Sequence, residues 1–263
     1  MSQTLLKSPL TLVLTRVEFN AELTALSAEG WPKLDSIMQS IGFPAANTVN
    51  DATIQLTPAG PMQVSQGSRR VYQDANGGLR VSVAPQFIAL YAGRVNDVIA
   101  YEDHEAFLSK FREIITALMP IVGEMPVTRT GYRYVDQLIG EDFTQVDKLL
   151  RPACRGVLPS EVPQGAQLLA SALRAQFSYT NSDNVQPDVL QMQSGQIPKG
   201  QPIDPGVPVL DQDSWVLDID TSAFAPVAFT ADVVIATASR LQQRAREFFE
   251  NTAVTDEFER RFR

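Results

Sequence analysis

Along Leu10–Phe19, LTLVLTRVEF, a period of two sets Leu12 and Leu14 against Val13, Thr15, Val17 and Phe19, and the β-branched residues in that hydrophobic run predict a first strand. From residue 21 the spacing turns helical, through Leu23, Leu26, Leu34, Ile37, Met38 and Ile41. Gly30-Trp31-Pro32 interrupts it, so two helical pieces are expected, with Gly42 as the stop. Extended segments follow at 53–57, 69–74 and 79–92. The last two are joined by Ala75-Asn76-Gly77-Gly78, which supplies the positive-φ residues of a hairpin, and together they make an antiparallel meander. A helix starting at Asp103 puts Phe107, Phe111, Ile114, Ile115 and Leu118 on one face, and Pro120 is expected to end it. A strand returns over 127–138.

The remaining chain repeats this order in outline. Strands are expected at 168–179, 189–194 and 214–222, then a helix from Thr230 with Val234, Ala238, Leu241, Ala245, Phe248 and Phe249 at spacings of three and four. The expected fold is α+β: two similar halves, 1–140 and 141–263, each an antiparallel β-meander packed against a helix, within a single compact unit of 1–263. Residues 195–209, GQIPKGQPIDPGVPV, hold Pro and Gly too densely for a regular element and are expected to form an exposed excursion.

Two strands carry unusual polarity. In RTGYRYVDQLIG, alternation puts Arg129, Gly131, Arg133 and Val135 on one face and Thr130, Tyr132, Tyr134 and Asp136 on the other. In WVLDID, Asp218 and Asp220 emerge on one face while Trp215, Leu217 and Ile219 enter the core. If the two strands are neighbours, Arg129, Arg133, Asp218 and Asp220 form a polar seam or ligand site. Alternatively, Asp218 and Asp220 hold a divalent cation for nucleotide binding or phosphoryl transfer, with an arginine on the phosphate. The tyrosines resemble a base-stacking strand of an RNA-recognition sheet, but Arg133 stands between them where that motif wants a small residue. Rings packed under a helix, hydroxyls at the rim, are the expectation.

Charge and composition narrow the chemistry. The 30 acidic and 22 basic side chains give a net charge of -8, which repels polyanions, so nucleic acid is an unexpected partner. One cysteine and one histidine exclude an internal disulfide and a zinc site of cysteines and histidines. His104 lies among Glu102, Asp103 and Glu105, where Asp103 suits a helix cap better than His104 suits catalysis. Cys154 is flanked by arginines able to lower its pKa, yet lacks a nearby histidine. Arg240, Arg244, Arg246, Arg260, Arg261 and Arg263 cluster near the C-terminus, interleaved with glutamates, as in intrahelical pairing. No apolar run is long enough to span a bilayer, and MSQTLLKSPL lacks a secretory pattern, so the cytoplasm is the expected location.

Taken together, PLTLVLTRVEF, RTGYRYVDQLIG, WVLDIDTSAF and a tail from Phe249 to Phe258 resemble a sporadically distributed prokaryotic family of uncharacterised proteins. That family has a Pro-Leu strand, an Arg-x-Gly-x-Arg-Tyr strand and a Leu-Asp-Ile-Asp strand in this order. Tyr132 stands where the family more often has an aliphatic residue, and the excursion looks like an insertion. The resemblance implies an architecture but no catalytic residues and no cofactor, and the family's patchy occurrence points to defence or toxin-type modules. With no converging nucleophile, base and oxyanion donors in the chain, the expected function is a non-enzymatic binding or regulatory protein, with a protein partner or self-association.

Overall fold

The computed structural model describes residues 8–57, 60–180, 186–204, 207 and 209–262, with backbone alone over 51–57 and 60–66. Its first part comprises β1 Leu10–Phe19, α1 Trp31–Ser40, β2 Ala45–Thr57, β3 Gly60–Gln73, β4 Leu79–Ala84, β5 Phe87–Val95, β6 Val98–Ile99 and α2 His104–Val122. Next come β7 Pro126–Ile139, α3 Glu141–Thr144, α4 Val146–Leu149, β8 Ser171–Tyr179, β9 Asp188–Ile197, β10 Ser214–Ala223, β11 Val227–Ala228, α5 Ala231–Phe248 and α6 Asp256–Phe262. One sheet joins the strands in the order β2-β3-β4-β5-β1-β7-β10-β9-β8, with β6 on β5 and β11 on β7. All of these pairings are antiparallel, so the fold is α+β on an antiparallel sheet.

The helices contribute their buried residues to one face of the sheet. Leu34 and Met38 of α1, Phe107, Phe111, Ile114 and Leu118 of α2, and Val234, Ala238 and Leu241 of α5 pack with Val13, Val17, Val81, Val83, Ile88 and Leu90. A second cluster joins Val146, Leu149, Ala245, Phe248 and Phe258 to Leu138, Met192, Trp215, Leu217 and Ile219. Each large apolar side chain taken out of water there contributes about 1.5–3 kcal/mol. Asp103 caps α2 by accepting the Ala106 N–H at 2.8 Å, and the Thr230 side chain caps α5.

Several expectations change. The run 79–92 is two strands, because Pro85-Gln86 turns the chain back and pairs Ala84 with Phe87. Pro120 lies inside α2; within the last turns its ring costs one hydrogen bond, and the helix continues to Val122. The segment 53–57 belongs to the longer β2, its side chains outside the described residues. Most consequential is the excursion. Gly195, Gln196 and Ile197 continue β9 and pair with Val216, Trp215 and Ser214. Beyond them the chain does not hang in solvent: Val207, 5% exposed, packs with Leu12, Val135 and Val216, and Ile203 adds to that contact. Pro205, Gly206 and Pro208 lie outside the described residues. Two valines and a leucine on the helix-free face would otherwise stay in water, and the excursion covers them.

Candidate functional site

The three motif stretches occupy adjacent central strands, β1, β7 and β10. Their helix-free faces line up in register, with Glu18 opposite Arg129, Ser222 opposite Gly131, Asp220 opposite Arg133 and Asp218 opposite Val135. All four sequence-predicted residues, Arg129, Arg133, Asp218 and Asp220, therefore meet on one surface.

Arg133 does not use the carboxylate directly across from it. Its Nε and Nη2 donate to the two oxygens of Asp218, one step diagonally away, at 2.8 and 2.9 Å, and its Nη1 donates to Asp204 at 2.8 Å. A planar guanidinium matches a carboxylate in this forked geometry better than an ammonium could. Side-chain exposures of 20% for Arg133, 12% for Asp218 and 17% for Asp204 place the group between surface and interior, where breaking one partner costs more than at an open surface. Burial works against the Arg133 cation, but the bonds and charges of Asp218 and Asp204 outweigh it and hold its pKa above the ordinary value.

Arg129 makes a second node. Its Nη1 donates to Glu18 at 2.6 Å, its Nη2 to Ser222 Oγ at 2.8 Å and to Asp220 at 3.4 Å. Burial raises the Asp220 pKa against the lowering effect of Arg129. Three of the participants were not singled out from sequence. Glu18 and Ser222 were legible, since each shares strand parity with its partners; Asp204 reaches the site through the folding of an irregular segment and carried no local signal.

The other face holds the tyrosines. Tyr132 is fully buried, with its ring 6.0 Å from Phe107 and 5.1 Å from Tyr134. Tyr134 shares a hydrogen bond with the Tyr101 hydroxyl at 3.0 Å and accepts from Gln242 Nε2 at 3.1 Å. The expected rim position is wrong for Tyr132, whose hydroxyl lies buried without a hydrogen-bond partner because α5 and Phe107 of α2 close over it. Burial drives its pKa well above that of a free tyrosine. Rings so covered leave no face on which a base could stack.

Remaining candidates resolve into structure. Cys154 is buried, donates to Thr252 O at 3.6 Å, and has a raised pKa because burial outweighs Arg151, contrary to activation by flanking arginines. His104 follows the cap residue as the first residue of α2. Arg240 and Arg244 converge on Asp188, 1% exposed, at 3.0 and 2.8 Å, and Arg244 also lies over the Tyr179 ring. Arg246 pairs with Glu250, Arg260 with Glu257 and Arg261 with Glu141 and Asp142, while Arg263 lies outside the described residues.

Among the described residues, no three His, Cys, Asp or Glu side chains gather as a metal site, and no helix is long and apolar enough to cross a membrane. Neither a scan of the chain against protein-family models nor a search of curated proteins returned a match.

Proposed function

We propose that this chain is a non-enzymatic binding protein, a partner or regulator of another protein, and that it docks through the helix-free face of its sheet. One observation carries the reading: along the three central strands that face presents arginines and carboxylates in register, while among the described residues the helices cover the opposite face. Both oxygens of Asp218 are engaged by Arg133, so a divalent cation there would first have to displace a guanidinium, which weighs against the phosphoryl-transfer alternative.

Family membership and internal duplication belong to the same proposal. Support for the family comes from its three motifs, which would fall on adjacent central strands. Strand order supports a repeat only with the division moved to before β7 from its expected place at residue 140: β3-β4-β5-β1 then runs inward from one side and β8-β9-β10-β7 from the other, and a long helix, α2 or α5, follows β5 and β10 in the chain. Among the described residues, the second half has no counterpart of β2. A place in a defence or toxin-type module rests on the family's occurrence.

The test blocks one face at a time. Gln193→Cys, on the helix-free face of β9, and Glu113→Cys, on α2, are each coupled to a polyethylene-glycol maleimide; buried Cys154 is shielded from the reagent. The tagged chain, returned to extract from its native host, is expected to retain a stoichiometric protein when blocked at 113 and to lose it when blocked at 193. Equal retention by both would overturn the reading.

A further inference from the structure

The sheet ends at β8, which pairs with β9 on one side and, among the described residues, with no strand on the other. Backbone groups alternate in direction along a strand, so every second residue of Ser171–Tyr179 aims its N–H and C=O outward from the sheet. No residue of β8 is buried, whereas most of β9 beside it is. An exposed edge is a template for another strand, and natural proteins blunt it with shortness, proline, bulges or charge. The β8 sequence, SALRAQFSY, has no proline and a single charge, Arg174, and its register with β9 runs unshifted over all nine residues. Apolar side chains lie exposed along it. Phe177 is 39% exposed, Leu169, two residues before the strand, is 74% exposed, and Val157 follows Gly156, where an added Cβ would meet the Ser171 side chain.

Parity divides the strand. Leu173, Ala175 and Tyr179 pack against the second core cluster and the Phe177 ring lies 5.1 Å from that of Phe248, so these positions face the helix side. Ala172, Arg174, Gln176 and Ser178 then face the helix-free side.

The pattern along β8 fits a second β8. In an antiparallel pair about a twofold axis normal to the sheet, one residue stands opposite its own copy, and every pair shares a face. Ala175 is the middle residue of β8. With the axis there all nine residues pair, Ser171 opposite Tyr179, Ala172 opposite Ser178, Leu173 opposite Phe177 and Arg174 opposite Gln176. The small pair at the centre is then flanked by two Leu173–Phe177 pairs, an apolar stripe that runs into Phe248 of each copy. Moving the axis one residue back sets Arg174 against itself, and like charges directly opposite work against pairing. Moving it one residue on leaves Ser171 and Ala172 beyond the end of the copy's strand. A foreign strand would require none of this symmetry.

We propose that the chain forms a homodimer in which β8 pairs antiparallel with β8 of a second copy about a twofold axis at Ala175. The contact does not rest on the docking reading above. Because the axis stands normal to the sheet, both helix-free faces lie on the same side of one continuous sheet, which offers two docking faces together. The net charge of -8 on each chain opposes association, but the one charge on the paired strand is Arg174, and the field of the other groups decays over about 8 Å at physiological salt.

Sedimentation equilibrium of the full-length chain at physiological salt gives the mass and the dimer Kd. Twice the chain mass of 28.9 kDa is expected. Arg174 and Gln176 are exposed, so changes there spare the core. Gln176→Arg sets guanidiniums opposite each other on both sides of the axis, and Kd should rise about tenfold. Adding Arg174→Glu makes each of those pairs opposite in charge, and Kd should return to the wild-type value or below it. A monomer at every concentration would overturn the inference and leave the edge to a foreign strand. A dimer indifferent to both variants is built elsewhere and would overturn it too, as would a dimer weakened by Gln176→Arg and not restored in the double variant, or an assembly that grows beyond two copies.

Discussion

Replacing Asp136 by Asn should make the protein more stable at pH 8 and remove a fall in stability that the wild type undergoes as pH rises. Asp136 sits on the helix face of β7, opposite Leu217 and near the Leu10 bulge, 5% exposed. Burial pushes its pKa from 3.8 up to about 7, with Arg94 opposing and Asp218 adding to the rise. The folded state therefore holds this proton more tightly than the unfolded state. Its contribution is fully present below pH 3.8 and lost as pH rises through about 7. At 1.36 kcal/mol per pH unit the whole span is about 4 kcal/mol, and the part falling between pH 5 and pH 8 is about 3 kcal/mol. Asn is nearly isosteric and does not titrate, so the stability of the variant relative to wild type should grow by about 3 kcal/mol over that interval. Urea unfolding followed by the fluorescence of buried Trp215, at half-unit steps from pH 5 to pH 8, measures it. A difference that stays flat across the series, or grows in the wild type's favour, refutes the assignment of a buried, proton-holding carboxyl at this position.

Other consequences follow from particular contacts. Arg133→Met removes the shared cation of Asp218 and Asp204, and unfolding free energy should drop by about 3–5 kcal/mol; a loss below 1 kcal/mol would show the seam to be a surface pair. Gly195→Ala would put a Cβ 2.0 Å from the Ser171 carbonyl oxygen, so β8 should detach from β9; faster amide exchange over Ser171–Tyr179 than in wild type is expected, and unchanged exchange would contradict the pairing. Cys154 should react with a thiol reagent only after denaturant is added, and rapid native labelling would contradict its burial.

Legibility tracked how local the physics was. The strands β7 and β10 were readable because charged residues recur on alternate positions, a period of two that a helix cannot satisfy, and β1 from its run of β-branched residues. The helices α2 and α5 were readable from a continuous apolar face and a capping residue, Asp103 or Thr230. The turn at Pro85-Gln86 was missed because apolar residues run on through it, and buried strands on either side look alike. Arg129, Arg133, Asp218 and Asp220 could be placed together since alternation fixes their face, while the diagonal choice of Asp218 over Asp220 by Arg133 depends on twist and rotamer. Asp204 and Val207 were out of reach: their burial is decided by tertiary packing of a Pro-rich segment whose composition reads as exposed loop.

The most direct test of docking through the helix-free face is carbodiimide labelling of carboxylates, read by mass spectrometry, with and without the partner recovered from the native host. Glu18 and Asp220 on that face have side-chain exposures of 28% and 30%, while Glu113 and Asp232 on the helix side have 45% and 89%. The account predicts that partner binding suppresses labelling of Glu18 and Asp220 and leaves Glu113 and Asp232 unchanged. Protection of Glu113 and Asp232, with Glu18 and Asp220 still labelled, would contradict it.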